Sequence, residues 1–245
     1  MSLDPERARA WFALGVGPLW VLRDEAQTYA AADPRAVPAA GSARAEAIAA
    51  LGWDELQRAV AECTACALAR TRTQTVFGVG DRRARWMFVG EAPGAEEDAK
   101  GEPFVGQAGR LLDNMLASIG LSRSGQGDRS VYIANVLKCR PPGNRNPEPG
   151  EVALCEPFLR RQVELVNPRV IVVMGRFAVQ CLLNTDASIA SLRGRVHEIE
   201  VAGRRVPAVV TYHPAYLLRN LADKAKSWAD LCLAREVYER AAAAA

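Results

Sequence analysis

Four short apolar runs stand out from residue 84 onward, and segments with helical periodicity lie between or after them. Apolar runs of this length are typical of strands that are buried on both faces, as in a parallel sheet covered by helices. The intervening segments repeat apolar residues every three or four positions, which predicts amphipathic helices. The predicted strands cover 86–89, 131–136, 170–174 and 208–212, and the predicted helices cover 108–119, 150–166, 176–183 and 223–240.

This alternation predicts an α/β fold: a central four-stranded parallel sheet flanked by helices in three layers (α/β/α). The segment VHEIEVAGRRV adds a β-hairpin with Ala202-Gly203 at its turn. Residues 1–50 are rich in alanine and interrupted by proline, so we expect a small helical or disordered N-terminal extension of unknown role. A helix over 43–62 is expected to lead into the CxxC pair of the predicted α/β domain, residues 51–240.

The composition is that of an ordinary globular protein. With 245 residues, 49% apolar and 24% charged, the chain is long enough for one large domain. No apolar run approaches a membrane span, and the charged N-terminus MSLDPERARAWF lacks the apolar core of a signal peptide. We therefore expect a cytoplasmic monomer without a membrane partner. The net charge of +3 permits a nucleic-acid partner only through local clusters of basic residues.

Six cysteines in a chain expected in the cytoplasm indicate metal binding more than disulfides. A CxxC pair is followed, after a long gap, by two cysteines in a segment rich in proline and glycine. Four thiolates can hold a zinc ion or an iron–sulfur cluster, and the spacing alone leaves both open. The other two cysteines lie in apolar segments and fit small core residues on helices. The candidate ligands are Cys63, Cys66, Cys139 and Cys155, and the candidate core residues are Cys181 and Cys232.

Polar residues follow or end three of the predicted strands, at the edge where a parallel sheet binds its ligands. Glu91 lies in the turn GEAPG, Asn135 lies at the end of the second strand, and His213 follows the fourth. The turn lacks GK[ST] and GxGxxG, so it is neither a P-loop nor a dinucleotide fingerprint. Each residue alone has a plainer interpretation, as a turn, a loop cap or a structural histidine. The other histidine, His197, falls in the predicted hairpin and is expected at the surface.

Five segments, in their order and spacing, resemble the family 4 uracil-DNA glycosylases. They are GEAPGAEED, EPFVGQAG, YIANVLKCRPPGNRNP, VIVVMG and HPAYLLR, and the resemblance covers about residues 60–235. It implies a monofunctional enzyme that flips uracil out of double- or single-stranded DNA and hydrolyses its N-glycosidic bond, leaving an abasic site in base excision repair. It also implies that the four candidate cysteines hold a structural [4Fe–4S] cluster.

The same resemblance implies how the base is recognised. Phe104 would stack on flipped uracil, and the carboxamide of Asn135 would donate to O4 and accept from N3–H. Gly90 and Ala92 would line the same base-binding site. The turn GEAPG has no tyrosine to exclude thymine, so its backbone or Glu91 must close the side near C5.

The resemblance also implies the chemical roles. His213 would donate to O2 of the departing base, where negative charge develops. Glu91 would hold or activate the attacking water, or stabilise the cationic sugar. We expect no covalent intermediate, because no lysine of these motifs is expected to act as a nucleophile. The loop KCRPPGNRNPEPGE also contains no histidine for covalent capture.

Contacts to DNA are expected from loops near the same edge of the sheet. Leu217, or less readily Leu218, would fill the space that the flipped base leaves in the stack. The plainer interpretation is that both leucines are buried at the start of a helix. The candidate phosphate contacts are Lys138, Arg140, Arg145, Arg193, Arg195 and Arg219.

Two other functions match parts of the pattern. A non-catalytic iron–sulfur protein that binds DNA or senses damage would keep the cysteines, but it would not need Glu91, Asn135 and His213 together. A zinc-dependent nucleobase deaminase needs an HxE with PCxxC downstream. Here CxxC lies upstream and neither histidine is in an HxE, which excludes the deaminase. The binding protein stays as the alternative.

Overall fold

The structure is a computed structural model that describes residues 39–243, with a sheet packed between two layers of helices. The strands are β1 (Val79–Gly80), β2 (Trp86–Gly90), β3 (Val131–Asn135), β4 (Val170–Met174), β5 (Val196–Val201) and β6 (Arg204–Thr211). The α-helices are α1 (Ala39–Ala49), α2 (Trp53–Ala61), α3 (Ala95–Lys100), α4 (Gln107–Ser118), α5 (Pro149–Val166), α6 (Arg176–Leu183), α7 (Ile189–Leu192), α8 (Pro214–Leu217) and α9 (Lys224–Ala243). Short 3-10 helices cover Ala67–Arg70, Gly127–Arg129, Pro142–Asn144 and Leu221–Asp223.

The sheet has the strand order β1-β3-β2-β4-β6-β5. Its four central strands, β3, β2, β4 and β6, run parallel, which confirms the predicted parallel sheet. The expectation of only four strands is wrong, because β1 and β5 add an antiparallel strand at each edge. β1 has two residues, too few for a visible pattern, and β5 is the first arm of the predicted hairpin.

Alternate side chains of the central strands enter opposite layers of the core. In β2, Met87 and Val89 belong to the layer that contains α5, α6 and α7, whereas Trp86 and Phe88 belong to the layer that contains α4, α8 and α9. Every residue of β2, β3 and β4 is buried, which explains their apolar sequences. The predicted three-layer architecture is confirmed.

One predicted helix is divided in two. The sequence predicts a single helix over 43–62, whereas α1 ends at Ala49 and α2 begins at Trp53. Gly52 between them is extended (φ −73°, ψ 176°), and its N–H donates to Glu55 Oε2 at 2.9 Å. This contact caps the start of a new helix, which the apolar pattern on either side of the break does not reveal.

The predicted hairpin between β5 and β6 is confirmed. Ala202 and Gly203 both have positive φ, 49° and 73°, as the two central residues of a tight hairpin turn require. His197 lies on β5, where its Nε2 is 2.7 Å from the carbonyl oxygen of Leu192. This histidine is therefore a structural residue at the edge of the sheet.

Most of the predicted N-terminal extension, residues 1–38, lies outside the described residues. The compact unit that contains the sheet begins at Gly41, and Ile48 of α1 packs with Leu56 and Phe158 of that unit. Among residues 39–243, no helix combines the length and the apolar character needed to cross a bilayer.

Candidate functional site

The carboxyl ends of β2, β3 and β6 bring predicted site residues to one edge of the sheet. Gly90 and Asn135 are partners at the last position of the β2–β3 pair. The ladder continues beyond them, since the carbonyl oxygen of Glu91 accepts from the N–H of Leu137 at 3.0 Å. β6 ends two residues before His213. The parallel sheet therefore fixes the order of these side chains along its edge.

Phe104 joins the strand ends into one group. A Cβ atom at Gly90 would lie 2.5 Å from Asn135 Oδ1 and 2.5 Å from Phe104 Cζ, so only glycine leaves room for both side chains. On its other side, the Phe104 ring lies 5.4 Å from the His213 ring between centroids, with 31° between the planes. Gly90, Asn135, Phe104 and His213 thus form a contiguous group, which we call the strand-end group.

The carboxamide of Asn135 is buried and lacks a partner. Asn135 is 2% exposed, and its Oδ1 accepts no hydrogen bond from the described residues. A buried polar atom left in this state costs about 1–3 kcal/mol. The backbone of Asn135 is fixed by Lys138, whose Nζ donates to the Asn135 carbonyl oxygen (2.7 Å) and to Gln162 Oε1 (2.6 Å). The site therefore holds a fixed acceptor that a bound ligand can satisfy.

His213 is held as a neutral donor. Its Nδ1 accepts a hydrogen bond from the N–H of Ala215 at 3.2 Å, so the proton of the neutral ring lies on Nε2. Burial, helped by the positive charge of Arg219, lowers the pKa of His213 to about 4. Gly175, at φ 89°, leaves space for the ring, since its Cβ would lie 3.1 Å from His213 Cβ. Near pH 7 the histidine therefore presents Nε2–H.

Glu91 and Ala92, in the turn after β2, have different surroundings. Burial raises the pKa of the Glu91 carboxyl to about 6, and the positive charge of Arg176 opposes that rise. Arg176 begins α6, and no pattern in the sequence singles it out as a site residue. The Ala92 side chain packs against the cluster that contains Leu137 and Cys139.

The four candidate ligand cysteines line a single cavity, formed by the end of α2, the loop after β3 and helix α5. All four are free thiols. Among residues 39–243, no three cysteine, histidine or acidic side chains form a group that could hold one metal ion. An iron–sulfur cluster binds each cysteine at a different iron, so its ligands surround a cavity rather than a point. The arrangement therefore fits a four-cysteine cluster.

Two arginines donate to these sulfurs, and no sequence pattern singles them out. Arg72 Nη1 lies 3.1 Å from Cys139 Sγ and 2.8 Å from the carbonyl oxygen of Cys63. Arg44 Nη2, from α1, lies 3.5 Å from Cys63 Sγ. Such donors stabilise thiolates, the form in which cysteine binds metal. The remaining cysteines fit the prediction of helical residues, with Cys181 buried in α6 and Cys232 half-buried in α9.

Several candidate phosphate contacts are already engaged within the protein. Lys138 is 1% exposed, so it can neither meet a phosphate nor act as an amine nucleophile, although it lies in the third segment of the resemblance. Arg193 is paired with Asp230 at 2.9 Å, and Arg145 with Glu151 at 2.6 Å. Lys138 therefore serves the fold, whereas Arg193 and Arg145 are held in ion pairs and their contact with DNA stays a prediction.

The other candidate contacts remain accessible. Arg140 is half-buried and donates to Asn144 Oδ1 at 2.8 Å, while Arg195 and Arg219 are exposed. Arg219 lies close enough to His213 for its charge to act on the ring. Arg219 therefore places a positive charge near the strand-end group.

Leu217, the residue predicted to act as the wedge, is buried in this structure. Leu217 is 1% exposed and belongs to the core layer that also contains Phe104 and Leu112. Leu218, the next residue, is 37% exposed. Consecutive residues of a helix point in different directions, so the buried side chain of Leu217 leaves Leu218 at the surface.

Comparison with known proteins leads to the same family as the sequence motifs. A family model described as the uracil DNA glycosylase superfamily matches residues 77–232. The type-4 uracil-DNA glycosylase of Archaeoglobus fulgidus is 50% identical over 169 residues, which cover 67% of this chain and 82% of that protein. This chain belongs to the type-4 family of the uracil-DNA glycosylase superfamily. Other type-4 relatives are those of Thermotoga maritima, 44% identical over 70% of this chain and 88% of theirs, and Sulfurisphaera tokodaii, 40% identical over 68% and 76%.

In this type-4 member, the region matched by the family model contains the whole strand-end group and Glu91. Cys63 and Cys66 precede that region, whereas Cys139 and Cys155 lie within it. The relatives carry the names of glycosylases, so a non-catalytic DNA-binding or damage-sensing protein is not favoured.

Proposed function

We propose that this chain is a monofunctional uracil-DNA glycosylase of base excision repair, which flips uracil from double- or single-stranded DNA and leaves an abasic site. The observation that carries the proposal is the buried, unpartnered Asn135 Oδ1 beside the Phe104 ring. An aromatic face and a fixed polar edge are what a flipped pyrimidine needs. All residues of the strand-end group come from one chain, so a monomer is sufficient.

Asn135 is the proposed reader of the base. Uracil places a donor, N3–H, beside an acceptor, O4, whereas cytosine has a bare N3 beside an amino group. The carboxamide of Asn135 matches uracil by accepting from N3–H with Oδ1 and donating to O4 with Nδ2. Cytosine mismatches both contacts and leaves the buried amide unsatisfied, which makes the discrimination strong.

His213 and Glu91 are the proposed catalytic residues. Cleavage of the N-glycosidic bond leaves positive charge on the sugar and negative charge on uracil, including its O2. The Nε2–H of His213 donates to O2 as this charge develops. Glu91, as a carboxylate, orients the water that attacks C1′ and accepts its proton. Lys138 is occupied by Asn135 and Gln162, which supports hydrolysis without a covalent intermediate.

The rate of uracil release is expected to fall as the pH drops below about 6. The pKa of Glu91 is raised to about 6, so the required carboxylate predominates above that value and is lost below it. Single-turnover rates between pH 5 and pH 8 should rise up to tenfold per pH unit at the acid end and then level off. In the Glu91→Gln variant the acid limb should disappear. A wild-type rate that is flat across this range would contradict a carboxylate role for Glu91.

Leu218 is the proposed wedge, with Arg219, Arg140 and Arg195 as phosphate contacts. The Leu218→Ala variant is expected to release uracil about tenfold more slowly from duplex DNA and near the wild-type rate from single strands, because only the duplex stack must be refilled. Leu217→Ala should instead destabilise the protein by about 2–5 kcal/mol, measured by denaturant unfolding. Equal slowing of Leu218→Ala on both substrates would exclude the wedge.

Cys63, Cys66, Cys139 and Cys155 are proposed to hold a [4Fe–4S] cluster with a structural role. When bound, the cluster would tie the end of α2 to the loop after β3 and to α5. The cavity lined by all four thiols and the donor from Arg72 to Cys139 support this assignment.

The cofactor is tested by metal analysis and visible absorption of protein purified without oxygen. We expect about four irons per chain and broad visible absorption. Both should be lost in Cys139→Ala and retained in Cys232→Ala, a matched control on α9. A colourless protein with one zinc per chain would refute the cluster and leave the glycosylase proposal in place.

The activity is tested by base release from oligonucleotides that hold a single uracil, thymine or cytosine, each followed by alkali. Cleavage with uracil alone, and only after alkali, is the expected result for a monofunctional enzyme. Strand cleavage without alkali would contradict the monofunctional mechanism. Absence of cleavage from protein that carries its cluster would favour the non-catalytic alternative.

A further inference from the structure

The backbone of Phe104 has a conformation that is rare for a bulky residue. Its φ is 56°, in the left-handed region that glycine adopts readily and phenylalanine avoids. Strained backbone of this kind persists only where the surroundings fix it, and it concentrates at functional sites. The contacts that hold the loop around Phe104 therefore bear on how its ring is presented.

Helices α3 and α4 hold one side of this loop. Glu97 of α3 accepts with Oε1 from the N–H groups of Val105 (2.9 Å) and Gly106 (3.2 Å). In α4, a Cβ at Gly109 would lie 1.8 Å from the Phe104 carbonyl oxygen, so the loop lies directly against a helix position without a side chain. The two hydrogen bonds to Glu97 fix the loop after Phe104, but they do not involve the carbonyl oxygens of Pro103 and Phe104.

Arg123 holds those two carbonyl groups. Its Nη1 donates to the Pro103 carbonyl oxygen at 3.1 Å, and its Nη2 donates to the Phe104 carbonyl oxygen at 2.9 Å. Its Nε donates to Asp113 Oδ1 of α4 at 2.7 Å. The planar guanidinium thus spans two successive carbonyls and a carboxylate, a geometry that lysine cannot reproduce. The side chain of Arg123 is 20% exposed, so the contacts are partly shielded from water.

We propose that Arg123, oriented by Asp113, is a positioning residue that holds the Phe104 ring in place to stack on the flipped base. This inference rests on the proposed function. Within residues 39–243, the donors of Arg123 contact only Asp113 and the carbonyl groups of Pro103 and Phe104, so Arg123 reaches the site through the backbone of Phe104. Its effect on the reaction must therefore pass through the Phe104 ring.

A double-mutant cycle tests this dependence. Arg123→Met keeps the length of the stem but removes the donors, and Phe104→Ala removes the ring. We expect Arg123→Met to lower the apparent second-order rate constant, measured under single-turnover conditions at subsaturating enzyme, roughly 10- to 100-fold when Phe104 is present. Small misplacements of a group that contacts the substrate have effects of this size. In the Phe104→Ala background the same change should alter the rate less than about twofold. Arg235→Met, which breaks an exposed ion pair with Glu239 on α9, is the control and should change neither rate.

Two milder variants and a second readout guard against a simple folding defect. Arg123→Lys retains one contact at most, and Asp113→Asn retains the guanidinium. The single-turnover rates of both variants should therefore lie between those of wild type and Arg123→Met. Hydrogen exchange at the amides of Val105 and Gly106 should be faster in these two variants than in wild type and fastest in Arg123→Met. The thermal midpoints of all three variants should stay close to that of wild type.

The proposal is overturned if Arg123→Met slows the reaction by the same factor with and without the Phe104 ring. It is also overturned if Arg123→Met, with Phe104 present, has the same reaction rate and the same amide exchange rates as wild type. If Arg123→Met does not fold, Arg123→Lys replaces it in the cycle and the same criteria apply. An inactive wild-type protein would refute the proposed function instead. The exchange of the loop amides would then still decide whether Arg123 fixes the loop.

Discussion

Replacing His213 with alanine is expected to slow uracil release about 10²–10³-fold at pH 7 under single-turnover conditions, the usual loss when one donor to a developing anion is removed. The Ala215 N–H fixes Nδ1 as the acceptor, and the lowered pKa, about 4, keeps the ring neutral. His213 therefore contributes a preorganised Nε2–H donor rather than a positive charge. Because substrate binding depends mainly on other contacts, the enzyme concentration at half-maximal rate should change much less than the maximal rate.

The second histidine of the chain provides a matched control. His197 lies on the edge strand β5 and contacts the Leu192 carbonyl oxygen, so His197→Ala should leave the single-turnover rate within about twofold of wild type. If His213→Ala kept a near-wild-type rate as well, donation from His213 to uracil O2 would be ruled out. Thermal unfolding of both variants separates this outcome from loss of the fold.

The Asn135→Asp variant is expected to release uracil at least about 10³-fold more slowly and to gain measurable release of cytosine. A carboxylate offers only acceptors, so it repels O4 of uracil, whereas it can accept from the amino group of cytosine. A buried polar site that mismatches its ligand discriminates strongly, because both partners then lose their hydrogen bonds. Matched oligonucleotides that differ only in the target base give the ratio of the two rates.

Asn184→Asp is a suitable control for this substitution. Asn184 is exposed at the end of α6 and lies outside the strand-end group, so the same chemical change should leave base preference unaltered. An unchanged ratio of uracil to cytosine release in Asn135→Asp, in protein with a native thermal transition, would remove Asn135 from the reading role.

The sequence predicted the sheet well because its parallel strands are buried on both faces. All residues of β2, β3 and β4 are buried, so burial and apolar sequence coincide, and the strand ends could be located. The position of Asn135 opposite Gly90 then follows from parallel pairing. The edge strand β1 has two residues and no such pattern, so it could not be predicted from the sequence.

Residues that act across the fold could not be predicted from local patterns. Arg123 contacts Phe104 from 19 positions away, and Arg72 contacts Cys139 from 67 positions away, so neither lies in a motif with its partner. Leu217 and Leu218 are both apolar, and only the direction of α8 decides which one is buried. The burial of Lys138 could not be predicted for the same reason, because its contact with Gln162 depends on the packing of α5 on the sheet.

Mass spectrometry of the products from a duplex with one uracil tests the central claim most directly. The account predicts free uracil and an uncut strand whose abasic sugar carries a hydroxyl group from water at C1′. No mass should be added to the protein at any time. Failure to release uracil, or a protein–DNA adduct that accumulates with the reaction, would contradict hydrolysis by Glu91 together with His213 of the strand-end group.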